Sequence, residues 1–110
     1  MDKEQTLEWH SVAKIGDMRK DEPKPVRIGD RLIALYHING KIYATNDVCT
    51  HEFAMLSEGF IEGEEIECPL HQARFHIPTG QVRAAPATED IPTFPVRVEG
   101  EDIMIGVPTE

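Results

Sequence analysis

Two stretches of the chain decide its reading: Val48-Cys49-Thr50-His51-Glu52-Phe53-Ala54-Met55-Leu56 and Cys68-Pro69-Leu70-His71-Gln72-Ala73-Arg74-Phe75-His76-Ile77-Pro78-Thr79-Gly80. They contain both cysteines of the protein. Each pairs one thiol with one imidazole, as C-x-H in the first and C-x2-H in the second, with sixteen residues between His51 and Cys68. One soft sulfur and one nitrogen donor per stretch is a donor set for two metal ions in unlike surroundings. The candidate ligands are therefore Cys49, His51, Cys68 and His71.

Working outward, the flanks read as β-structure. The chain has 8 prolines and 8 glycines, and short runs rich in Val, Ile and Tyr lie between them. That pattern implies an all-β domain of short antiparallel strands. The expected strands are 9–13, 24–28, 31–37, 41–45, 60–61, 65–67, 94–99 and 102–107. Asn39-Gly40 signals a tight hairpin, because both residues tolerate positive φ. Glu99-Gly100-Glu101 plays the same part near the end. The run 31–37 is apolar at both parities, so it should be buried on both faces. Val96 and Val98, with Ile103, Ile105 and Val107, should line one wall of the core. Residues 17–25, charged and proline-containing, read as a surface loop. Both ligand stretches fall between strands, on loops, and residues 60–67 read as the hairpin that joins them.

Composition limits the function. A length of 110 residues fits one domain spanning 1–110, with no room for a separate substrate domain. A net charge of −9 argues against nucleic acid, whose phosphates require a basic surface. It suits attraction to basic patches on partner proteins. Met1-Asp2-Lys3-Glu4-Gln5 lacks the apolar core of a signal peptide. No apolar run approaches the ~18 residues that span a bilayer. The expectation is a cytoplasmic, monomeric protein away from membranes. In that compartment a lone cysteine pair points to metal or redox chemistry more than to a structural disulfide.

The two motifs, their spacing and their flanks resemble the signature of Rieske-type [2Fe–2S] proteins. Ala84-Ala85-Pro86-Ala87 resembles the family's proline loop, which covers the cluster from a third side. Thr93-Phe94-Pro95-Val96-Arg97-Val98 resembles its closing strand. The resemblance runs from about Arg31 to Val107. It implies a fold of short antiparallel sheets with two cluster-binding loops at one tip. It also implies an inner iron on Cys49 and Cys68 and an outer, reducible iron on His51 and His71. Three other readings stand beside it: a structural zinc site, a Cys49–Cys68 disulfide, and a Rieske fold that has lost its cluster. Zinc fingers favour C-x2-4-C and H-x3-5-H spacing, which this chain lacks. A disulfide explains neither histidine. The presence of all four donors weighs against the third.

Within the family the chain resembles the ferredoxin components of bacterial aromatic ring-hydroxylating dioxygenases. That implies a one-electron carrier rather than an enzyme. It would pass electrons from an NADH-dependent flavoprotein reductase to a terminal Rieske oxygenase in aromatic ring dihydroxylation. The alternative is an electron-transfer subunit of another oxidoreductase complex. High-potential relatives carry an extra cysteine pair and Ser and Tyr donors to cluster sulfurs. Leu70, Ala73 and Phe75 stand at three of those positions, which implies the low end of a range of roughly −150 to +300 mV. Glu52, Phe53, Gln72 and Pro86 are expected around the cluster tip. His10 and His37 read as ordinary packing or surface residues, and His76 as a nearby residue but not a ligand.

Overall fold

A computed structural model of the protein describes residues 6–50, 54–70, 72–85 and 87–109. His51, Glu52, Phe53, His71 and Pro86 lie outside these described residues. Among the described residues, eleven strands form three antiparallel sheets. The first sheet has the order β1 (Leu7–Lys14), β11 (Asp102–Pro108), β10 (Val96–Glu99). The second is β2 (Lys24–Ile28), β3 (Arg31–Ile38), β4 (Lys41–Asn46), β9 (Thr93–Phe94). The third is β5 (Phe60–Glu62), β6 (Glu65–Glu67), β7 (Arg74–His76), β8 (Val82–Ala84). The expectation of an all-β chain of short antiparallel strands is met.

Strand β3 sits between two cores. Ala34, Tyr36 and Ile38 face one that contains Leu56, Ile66 and Phe75. Ile33 and Leu35 face the other, against Ile103, Ile105 and Val107. Successive side chains of a strand point to opposite faces, so an unbroken apolar run is what such a central strand needs. The hairpin at Asn39-Gly40 forms as read, with φ of 51° and 76°. Ile103, Ile105 and Val107 are buried as expected.

Four expectations need correction. Val98 is 44% exposed, so it adds nothing to the core wall; it lies near the end of β10, past the cover that Val96 receives. The expected strand 94–99 is two strands: β9 pairs with β4, and β10 pairs with β11. Pro95 lies at the break, where it has no N–H for a ladder and accepts instead from Gly106 N–H at 3.0 Å. Strands β7 and β8 fall within and after the second motif, where the sequence suggested only loop. Three-residue strands carrying Arg and His leave little periodic signal. Residues 17–25 are not wholly surface: β2 begins at Lys24, and Met18 tucks into the core beneath β3.

Two glycines set the path into the third sheet. Gly80 has φ +77°, and a Cβ there would strike the carbonyl of Ile91. It donates to His76 O at 2.7 Å and accepts from Ile91 N–H at 2.8 Å, closing the turn between β7 and β8. Gly59 has ordinary φ but no space, because its Cβ would run into the carbonyl of Glu67, the residue before Cys68. The approach thus packs the exit of the first ligand loop on the entry of the second. Gly59→Ala should destabilise the protein by about 1–3 kcal/mol, the usual cost of overpacking against a fixed wall. A lowered urea midpoint, followed by far-UV circular dichroism, would show it.

Candidate metal centre

Each ligand loop hangs from a buried cysteine. Cys49 is 5% exposed and Cys68 is 1% exposed. The backbone N–H of Cys49 donates to the carbonyl of Ala54 at 2.9 Å. That of Cys68 donates to the carbonyl of Ala73 at 2.8 Å. The two closures have the same span. Val48 and Met55 form a β-bridge behind the first loop, and Glu67 pairs with Arg74 behind the second. Both thiols belong to the same buried cluster, with Ala54, Ala73 and Ala87.

The structure therefore brings together the two expected sulfur donors and the segment around Ala87. The expected nitrogen donors, His51 and His71, and the expected tip residues Glu52, Phe53 and Pro86 lie outside the described residues. Gln72 is exposed and has φ +62°, a left-handed conformation beside the expected ligand His71. His10 lies on β1, its Nε2 3.4 Å from Glu8. His37 lies on β3. His76 lies on β7, with Nδ1 2.8 Å from the Thr79 hydroxyl and Nε2 3.1 Å from Glu64. Both its ring nitrogens thus have partners, consistent with its reading as a non-ligand.

One important residue had no signal in the sequence. Asp47 is 1% exposed and clamps the first loop at its base. Its Oδ1 accepts from Ser57 N–H at 2.7 Å and its Oδ2 from the Ser57 hydroxyl at 2.8 Å. Its own N–H donates to Leu32 O at 2.8 Å, and its carbonyl accepts from Leu56 N–H at 2.6 Å. A buried carboxylate needs such partners to offset lost hydration. Aspartate and serine ten positions apart match no short-range capping pattern, so only the folded loop reveals the clamp. Nearby, Thr45 donates to Asn46 O at 2.8 Å, which leaves the Tyr36 hydroxyl to donate to Thr45 Oγ1 at 2.9 Å. Burial, with a smaller contribution from Asp47, raises the Tyr36 phenol well above its ordinary value, so it stays neutral. Across the loops, the Thr50 hydroxyl donates to Glu89 O at 2.8 Å and ties the first loop to the third.

Paired loops with buried thiols suit a group that needs two thiolates in a dry pocket. The Rieske [2Fe–2S] domain family matches residues 8–95. The chain belongs to the Rieske [2Fe–2S] family. It is 44% identical over 100 residues to a Ralstonia ferredoxin component of naphthalene 1,2-dioxygenase/salicylate 5-hydroxylase systems, covering 91% of this chain and 96% of that relative. The Sphingomonas yanoikuyae B1 ferredoxin superposes with a TM-score of 0.87 at 32% identity, over 92% of this chain and all of that one. A ferredoxin solved in complex with the oxygenase of carbazole 1,9a-dioxygenase gives a TM-score of 0.83 at 35% identity, over 87% of this chain and 99% of that one. The cofactor is accordingly a Rieske-type [2Fe–2S] cluster, and the role is that of a ferredoxin, an electron carrier rather than an enzyme. Zinc, a disulfide or an empty fold as the reading of the motifs is set aside. Among the described residues no helix is long and apolar enough to cross a membrane.

The clamp makes a direct expectation. Asp47→Ala leaves the Ser57 N–H and hydroxyl without their acceptor inside the protein. It should cost about 2–4 kcal/mol, whereas Asp47→Asn, which keeps one acceptor oxygen, should cost less. Urea midpoints of the three proteins would rank them.

Proposed function

We propose that Cys49 and Cys68 hold one iron of the cluster and His51 and His71 the other, in a single domain spanning residues 1–110. The matched closure of the two loops on buried cysteines is the observation that carries this reading. When bound, the cluster takes up and returns one electron at a time. Two ferric ions, two sulfides and two thiolates balance to zero charge with neutral imidazoles, so an added electron leaves one negative charge. Histidine in place of two thiolates thereby eases reduction relative to an all-cysteine site.

The chain's own residues do the rest. Cys49 and Cys68 supply charge and anchorage from the dry side of the pocket. The backbone closures to Ala54 and Ala73 fix the two loops, and the Asp47 clamp holds the base of the first. Ala73 and Phe75 are both fully buried and carry no hydroxyl. A donor at either place would favour the reduced form, so their identity favours a low potential.

The protein serves as a one-electron shuttle of an aromatic ring-dihydroxylating system. A flavoprotein reductase fed by NADH loads it, and a terminal Rieske oxygenase unloads it. Similarity to the ferredoxin solved with the carbazole dioxygenase oxygenase supports the second partner. The first is in keeping with relatives that are named as one component of a multicomponent system. The protein works as a monomer in the cytoplasm. Leu70 is an exposed apolar residue beside His71, suited to a transient contact at the tip.

Iron and sulfide analysis of the purified protein tests the ligand assignment. Two irons and two sulfides per chain with a red-brown colour are expected; one zinc and no colour would refute it. His71→Ala should abolish the visible absorption, while His76→Ala should retain it. The midpoint potential should fall below about +100 mV on the scale of such centres. Rapid reoxidation by a purified aromatic dioxygenase would establish the shuttle. Slow reoxidation by every such oxygenase, with stable copurification of another enzyme, would assign it to that enzyme instead.

A further inference from the structure

The outward face of the third sheet carries an unusual charge arrangement beside the second ligand loop. Register places Glu62 directly opposite Glu65, and Glu67 directly opposite Arg74. Two carboxylates facing each other across strands repel. A single guanidinium answers them. Arg74 lies 2.7 Å from Glu62, 3.3 Å from Glu65 and 2.8 Å from Glu67. Among the described residues a second cation, Arg83, lies 3.8 Å from Glu65. Arg74 is thus the central positive charge among three carboxylates.

The location ties this hub to the cluster. Glu67 immediately precedes Cys68, and Arg74 immediately follows Ala73, whose carbonyl accepts from Cys68 N–H. The Glu67–Arg74 pair therefore closes the neck of the loop from Cys68 to Ala73. It is partly shielded, with side chains 20% and 31% exposed, so solvent screens it less than a fully exposed pair. An electron arriving at the cluster adds negative charge next to this acidic group.

We propose that Arg74 is a positioning residue with a second role: its charge offsets the carboxylates at the loop neck and holds the redox potential up to a working value. This rests on Cys68 being a cluster ligand. Removing the cation leaves three carboxylates with less compensation, which disfavours the reduced form. Removing Glu67 does the reverse. A purely mechanical clamp predicts no such opposition in sign, because either substitution breaks the same pair.

The test is the equilibrium between the purified, cluster-loaded protein and a one-electron dye of fixed potential. Arg74→Gln should lower the equilibrium constant for reduction by about fivefold, on the order expected for the loss of one nearby charge in a moderately polar medium. Glu67→Gln should raise it by a similar factor, and the double variant should return close to wild type. Arg74→Lys, which keeps the charge but not the planar fork, should stay near wild type. Shifts of the same sign in both single variants, or no shift with the cluster intact, would overturn the proposal. If Arg74→Gln fails to retain its cluster, Glu62→Gln decides: Glu62 is 71% exposed at the far end of the hub, and a rise supports the proposal while a fall or no change defeats it. Iron and sulfide missing from the wild-type protein would instead refute the ligand assignment beneath it.

Discussion

The burial of β3 on both faces is the constraint from which the rest follows. Ala34, Tyr36 and Ile38 look into the core beneath the ligand loops, while Ile33 and Leu35 look into the core shared with β11. One strand therefore couples the base of the molecule to its metal-binding part. Polar groups are admitted along this spine only with partners. Thr45 and Asp47, both buried, have every side-chain oxygen engaged. Asp47 also accepts and donates through its backbone, so the first ligand loop is bonded to the end of the spine rather than loosely attached.

From that spine the two ligand loops emerge with matching closures. Each begins at a buried cysteine and closes on an alanine carbonyl. The third loop, through Glu89, is tied to the first by Thr50. These ties are hydrogen bonds and close backbone packing.

Under the proposed ligand assignment, electrostatics acts on the cluster from two sources. Ala73 and Phe75 carry no hydroxyl to donate to it, which would favour the oxidised form. The glutamates on β5 and β6 would push the same way, and Arg74, paired with them, would oppose it. Part of the acidic charge lies in these glutamates, of which Glu67 directly precedes Cys68. The same carboxylates are available to attract a basic partner surface.

The sequence by itself determined the all-β class, most of the strands and the family, and it nominated the donor set. These rest on local rules: side-chain alternation, Asn-Gly turn chemistry and the fixed spacing of Cys and His. It also showed that β3 is buried on both faces, since an apolar run at both parities allows no solvent side. Only tertiary structure decided what depends on contacts between distant residues. The strand written as 94–99 divides at Pro95 because its two halves pair with different sheets. Val98 is exposed because of where β10 runs out, not because of its parity. The short strands β7 and β8 exist because β6 offers them a ladder. The Asp47–Ser57 clamp and the Arg74 hub join residues that no period or motif relates. Their stability comes from burial and charge compensation, which arise only once the chain has folded.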